Sequence, residues 1–212
     1  MNQENTITVC GRLDGELSHA YTAFDEPFYT GYLLVGRLSG TIDRLPITVP
    51  GKLMADTVAT KQPVMVRGQV RSYTKVDDNG NSRLEVTIFV NEIIPGRGFI
   101  DSTTNEVTII GTICRKPTYR TTPFGREICD VMIAVNRGFG KSDYIPCIAW
   151  GRNAQYISRF KEGDRFELNG RLQSRNYDKL QDDGTFITRT VYEVSAFTVA
   201  PAASAVREAR YA

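Results

Sequence analysis

Apolar and polar residues alternate along most of this chain, and the alternation has a period of two. Val107, Ile109, Gly111 and Ile113 point one way along an extended segment, while Thr108, Ile110 and Thr112 point the other. Val131-Met132-Ile133-Ala134-Val135 is a continuous apolar run, which predicts a strand covered on both faces. Asp77-Asp78-Asn79-Gly80 and Asp182-Asp183-Gly184 are hairpin-turn signals between such segments. The pattern switches to helical spacing in one short place per half. It does so over Asn153 to Phe160, through Ala154, Ile157 and Phe160, with Gly163 as the stop. The equivalent place earlier in the chain carries Leu53, Met54, Thr57 and Val58.

The chain also repeats itself. Ile7-Thr8-Val9-Cys10-Gly11-Arg12-Leu13 aligns with Val107-Thr108-Ile109-Ile110-Gly111-Thr112-Ile113 at an offset of 100. Leu45-Pro46-Ile47-Thr48-Val49-Pro50-Gly51-Lys52 aligns with Ile145-Pro146-Cys147-Ile148-Ala149-Trp150-Gly151-Arg152 at the same offset. Val66 to Ser72 matches Leu168 to Ser174 with two residues inserted, and each half closes on an alternating segment ending at Pro95 or Pro201. Several matches in one order at nearly constant spacing mean duplication. Residues 1–96 are expected to form one domain, 97–104 a Gly/Ser/Thr linker, 105–201 a second domain and 202–212 a short tail.

About five strands with one short helix after the third, in each half, predict an all-β protein of two tandem OB-fold barrels. Gly11, Gly111, Gly68 and Gly170 fall inside strand patterns, where a small barrel needs bulges or bends. An SH3-like barrel and an immunoglobulin-like sandwich compete; the length counts against the first and the helix against the second.

Composition narrows the function. The net charge is only +2 over 212 residues. Residues 1–100 hold 10 Lys/Arg against 11 Asp/Glu, and the remainder 16 against 13, so a polyanion would meet the second half first. No apolar run approaches the roughly 20 residues of a membrane span, and Met1-Asn2-Gln3-Glu4-Asn5 has no signal-peptide character, so a cytoplasmic protein without membrane contact is expected. Cys10, Cys114, Cys129 and Cys147 have no paired spacing and sit in apolar runs, which suits buried reduced thiols. With His19 as the one histidine, no metal site or cofactor is assigned. No nucleophile–base pair, P-loop, GxSxG or HExxH pattern appears, so the chain is not expected to be an enzyme.

Four blocks of the second half carry a specific resemblance. They are Asn105 to Gly111, Arg126 to Arg137 with its Ala134-Val135-Asn136-Arg137, Asp143 to Arg152 with its Trp150-Gly151-Arg152, and Gly170 to Tyr177. In this order and register they resemble the bacterial single-stranded DNA-binding protein family. The first half is a divergent copy, with Pro50 where the second has Trp150. The resemblance implies binding of single-stranded DNA largely without sequence preference, protecting it in replication, recombination or repair.

A general single-strand binder needs aromatic platforms interleaved with cations along a groove. The stacking candidates are Trp150 and Tyr177, whose family counterparts stack on bases, together with Tyr144, Phe139 and, in the first half, Tyr73. Phosphate candidates are Arg115, Lys116, Arg126, Arg137, Lys141, Arg152, Arg171, Arg175 and Lys179, joined by Arg12 and Arg71 of the first half. Tyr156, Phe160, Phe166, Tyr192 and Phe197 read as core. A protein-interaction OB module and an RNA-binding barrel stand as rival readings. Family members present four OB domains, so two per chain imply a homodimer. The family's acidic tail tip has no counterpart in Ala205 to Ala212, so recruitment of replication proteins through such a tip is not expected.

Overall fold

The computed structural model describes residues 4–54, 62–77, 80–99, 102–138, 140–180 and 184–202. The first half folds into β1 (Asn5–Leu13), β2 (Ser18–Ala23), β3 (Glu26–Gly36), β4 (Ile42–Pro50), β5 (Val64–Val76) and β6 (Ser82–Pro95). The second repeats the series as β7 (Asn105–Ile113), β8 (Thr118–Thr121), β9 (Glu127–Arg137), β10 (Lys141–Trp150), β11 (Arg165–Leu180) and β12 (Phe186–Pro201). One helix, α1 (Arg152–Ile157), follows β10. It ends sooner than the spacing predicts, leaving Phe160 in the turn after it, where the ring packs on the core. A 3-10 turn, Gly51–Leu53, holds the same place in the first half, and Thr57 and Val58 lie outside the described residues.

Each half closes on itself. β1 pairs antiparallel with β5 and, past Gly11, with β3; β3 pairs β4, β4 runs parallel to β6, and β6 pairs β5. The second half makes the same ring through β7, β9, β10, β12 and β11. These are five-stranded OB barrels. The sixth strand of each half, β2 or β8, stands outside the ring and, among the described residues, pairs only with β3 or β9. Val131, Ile133 and Val135 are buried while Met132 and Ala134 are half-buried, so this strand alternates rather than being covered on both faces.

Two glycines set the curvature. A β-bulge falls between Arg67 and Gly68 and another between Asn169 and Gly170. A Cβ on Gly68 would lie 2.2 Å from the Phe89 carbonyl oxygen, and one on Gly170 2.2 Å from that of Ser195, so only glycine permits the neighbouring strand so close. The bulge displaces one residue from the ladder on β12, and that residue is Phe197. Its side chain turns outward and is 54% exposed, which corrects its assignment to the core. Phe166 is buried as expected, and Tyr192 packs partly buried against the core.

The barrels are joined strand to strand. β1 pairs antiparallel with β7, and the ladder is centred on Ile7 opposite Val107, two residues that are counterparts in the repeat. An approximate two-fold axis therefore passes through this pair. Polar contacts repeat about it. Asn5 clasps the backbone of Val70 with its side-chain amide, and Asn105 does the same to Leu172. Asp43 of the first barrel accepts the Ser174 backbone N–H at 2.7 Å and its hydroxyl at 2.9 Å. In return, Asp143 of the second accepts the Ser72 backbone N–H at 2.9 Å. Each aspartate is met by an arginine of its own barrel, Arg37 at 2.6 Å and Arg137 at 3.4 Å. Buried apolar residues of both barrels form one contiguous core.

Cys10, Cys129 and Cys147 are buried and Cys114 is partly exposed; all four are free thiols. Burial pushes the Cys129 thiol up to about 11 and raises that of Cys147 further. A thiol reagent at neutral pH is expected to label Cys114 alone in the folded protein and all four on unfolding; rapid labelling of two or more without denaturant would contradict this packing. No helix among the described residues is long and apolar enough to cross a membrane.

Candidate functional site

The most basic concavity of the second barrel is built by the end of β10 and the middle of β11. Trp150 is the last residue of β10, opposite Ile128 of β9. Ala149 before it points into the core, so Trp150 points out, and its indole is 39% exposed. Gly151 follows with a φ of 53°, a backbone state that side chains rarely adopt, and turns the chain into α1 directly beyond the indole. Arg171 and Arg175 stand on β11 at alternate positions and so on one face, while Arg126 comes from the β8–β9 connection. With Trp150, Ser174 and Arg37 these arginines line a recess of about 340 Å³.

The electrostatics of this recess are unbalanced. The Nε of Arg171 is buried without a hydrogen-bond partner. Burial, and after it the nearby Arg37 guanidinium, push the Arg171 pKa below its ordinary value. Glu193 stands beside the recess and accepts from two of its lining residues, Gln173 at 3.1 Å and Arg175 at 3.4 Å, leaving Arg126 and Arg171 without a carboxylate partner among the described residues. A cation-rich recess beside an exposed indole can hold a phosphate with one group and a base face with the other.

The other candidates divide by place. Tyr177 is 36% exposed on the β11 arm, on the same face as Arg175, opposite Arg189 of β12. Tyr144 is 47% exposed on β10, and its backbone N–H donates to the Ser72 hydroxyl of the other barrel, which sets it at the junction. Arg137 belongs to the junction as well, beside Asp143 and close enough to Arg71 to lower that residue's pKa after the larger effect of burial. Arg115, Lys116, Lys141 and Arg152 are exposed on the second barrel, and Arg12 on the first. Arg115 lines a second concavity of about 520 Å³ with Arg83, Arg120 and Arg175. Phe139 lies outside the described residues, as does the Lys179 side chain.

The first barrel is different at the corresponding positions. Pro50 is buried, and Phe28 opposite it stacks on Tyr21 with centroids 4.9 Å apart. Phe28 also meets Phe89 at 5.9 Å, and the Arg71 guanidinium lies 3.6 Å from the Phe89 centroid. Glu26 takes the place of Arg126 and accepts the Lys52 backbone N–H. Tyr73, 55% exposed, occupies the position of Arg175 rather than of Tyr177, because the two-residue insertion shifts the later strands. Its neighbours in a cleft between the barrels include Tyr32, Arg44, Lys75 and Arg189, but also Asp14 and Glu85.

Sequence reasoning missed two residues here. Arg37 reaches the second barrel's recess from the first; its signal was its place 100 residues before Arg137. Phe124 is 92% exposed at the β8–β9 turn, two residues from Arg126, and Phe24 repeats it at the β2–β3 turn.

Residues 104–201 match the model of the Single-strand binding protein family. Single-stranded DNA-binding protein A of Bacillus subtilis is 34% identical over 100 residues, a stretch covering 44% of this chain and 58% of that protein. Single-stranded DNA-binding protein 1 of Staphylococcus aureus is 33% identical, over 44% of this chain and 60% of that protein. The chain thus matches less than two thirds of the length of these relatives. Among solved structures, wild-type single-stranded DNA binding protein from Thermus aquaticus superposes with a TM-score of 0.71 at 22% identity, covering 93% of this chain and 92% of that one. A deletion mutant of that protein gives 0.69, with 93% of each chain covered. The tandem barrel fold is common to both.

Proposed function

We propose, on the premise that residues 104–201 are a domain of the single-strand binding protein family, that this chain binds single-stranded DNA in the cytoplasm with little sequence preference. The observation that carries the reading is Trp150, exposed at the edge of a recess lined by Arg37, Arg126, Arg171 and Arg175. The indole stacks on a base and the guanidinium groups hold the flanking phosphates, while Tyr177 continues the stack along the β11 arm. Since every base has a face to stack and every nucleotide a phosphate, such a site discriminates strandedness more than sequence. It protects the bound strand by covering it, and no catalytic step is involved. Two copies of the chain, giving four barrels, form the working assembly. Light scattering at micromolar concentration is expected to give a dimer mass, and a monomer mass would remove that part of the proposal.

The test of binding is a titration with poly(dT), poly(rU) and duplex DNA. Trp150 is the only tryptophan, so its emission reports the recess alone. Poly(dT) is expected to quench it, with an affinity falling as salt rises by about 0.7 in log–log slope per phosphate held. Equal or tighter binding to duplex would defeat the single-strand reading, and tighter binding to poly(rU) would move it to RNA.

A further inference from the structure

Two arginine pairs span the junction between the barrels, although they are not counterparts in the repeat, since Gln69 stands at the position of Arg171 and Gln173 at that of Arg71. Arg37 of the first barrel stands beside Arg171 of the second, and Arg137 of the second beside Arg71 of the first. In both pairs the residue on β11 or β5 keeps a buried Nε with no hydrogen-bond partner. The pairs differ in what covers them. The Arg71 guanidinium lies over Phe89, against which Phe28 packs with Tyr21 stacked on it, so its cation is already capped by a ring. Arg171 is 5.8 Å from the Phe197 centroid and opens into the recess that Trp150 borders. Arg37 is fixed there by two bonds of 2.6 Å to Asp43 and by donation to the Ser174 carbonyl at 3.1 Å.

We infer that Arg37 and Arg171 together seat one phosphate of the bound strand, so that the second barrel's DNA groove is completed by a residue of the first. The inference rests on the proposed single-strand binding. The charge count supports an anion: Arg37, Arg126, Arg171 and Arg175 face the recess, against Asp43 behind Arg37 and Glu193 beside Arg175. A phosphate placed between the two guanidinium groups offers each a charged acceptor and separates two like charges that otherwise repel, whereas a neutral ligand does not. The seat lies where the second barrel's Ser174 backbone is held by the first barrel's Asp43. A strand in it therefore bridges both barrels instead of lying on one.

The experiment follows fluorescein-labelled oligo(dT) by anisotropy against wild type, Arg37→Gln, Arg171→Gln, the double variant and Arg71→Gln over a range of salt. Each single change in the seat is expected to weaken binding about tenfold at low salt and to make the log–log slope shallower by about 0.7, one phosphate contact. The double variant is expected to lose no more than about twofold beyond either single one, because both remove the same contact. Arg71→Gln is expected to bind within twofold of wild type. Because Arg37 also holds Asp43, its variant is checked by thermal melting; Arg171→Gln leaves that pair intact and tests the seat by itself. Wild-type binding with an unchanged slope in folded Arg171→Gln or Arg37→Gln would overturn the seat. So would losses that multiply in the double variant, or a loss in Arg71→Gln equal to that in Arg171→Gln. If wild type itself fails to bind oligo(dT), the single-strand reading falls with it, and the two failures are told apart.

Discussion

Replacing Asp43 by alanine is expected to destabilise the protein by about 3–5 kcal/mol, the cost of breaking a buried ion pair by removing one partner. The carboxylate is fully buried and makes four close contacts: two from the Arg37 guanidinium and two from Ser174 across the junction. Without it, a partly buried guanidinium and a backbone N–H lose their acceptor at once. The matching Asp143→Ala is expected to cost less, since Arg137 stands 3.4 Å away and Ser72 offers Asp143 only its backbone N–H. The Asp43 carboxyl also predicts a pH dependence. Burial raises its pKa, but the bonds from Arg37 and Ser174 outweigh that and hold it below the ordinary 3.8. A group depressed on folding contributes its full stabilisation above its unfolded value and loses it as pH falls through its folded value. Urea unfolding of wild type and Asp43→Ala should therefore differ most near neutral pH and converge in acid below about pH 4. A gap under 1 kcal/mol at pH 7, or one that does not narrow in acid, would contradict this account of the clasp.

Trp150→Ala is expected to weaken binding of oligo(dT) by about 5- to 150-fold, the equivalent of about 1–3 kcal/mol for one stacked base. The variant should fold, because Trp150 ends its strand half-exposed and its neighbour Ala149 carries the core packing. Trp150→Phe should recover most of the affinity, since a smaller ring still offers a face. Tyr177→Ala should cost less than Trp150→Ala, lying further from the arginine cluster along the β11 arm. The salt slope should be unchanged in all three, as none removes a phosphate contact. With the sole tryptophan gone, the label must be on the DNA. A Trp150→Ala protein that melts like wild type and binds as tightly would leave the recess without a role.

The duplication was legible because the residues that hold the fold recur in place. Asn5 and Asn105 clasp the corresponding residue of β5 and β11, Asp43 and Asp143 cross the same junction, and Gly68 and Gly170 sit at the same bulge. Trp150 and the arginines of β11 were legible through their chemistry. What stayed hidden depended on geometry that no local pattern encodes. Phe197 fits a core alternation until one bulged residue turns it outward. Tyr73 mimics Tyr177 in its neighbours, yet it stands in Arg175's place once strand partners fix the register. Arg37 looks like any cation at the end of a strand until the barrels dock and bring it to Arg171.

The Ile7–Val107 pair at the centre of the junction has one further consequence. In an assembly of identical chains related by a two-fold axis, every substitution appears twice, and an improvement on one side is imposed on the other. Joining the two copies in a single polypeptide removes that constraint. Here Glu26 faces Arg126, Pro50 faces Trp150 and Gln69 faces Arg171 across the repeat, while the paired strands at the axis keep their match. Covalent fusion lets one half change its surface chemistry freely, provided that the seam remains self-complementary.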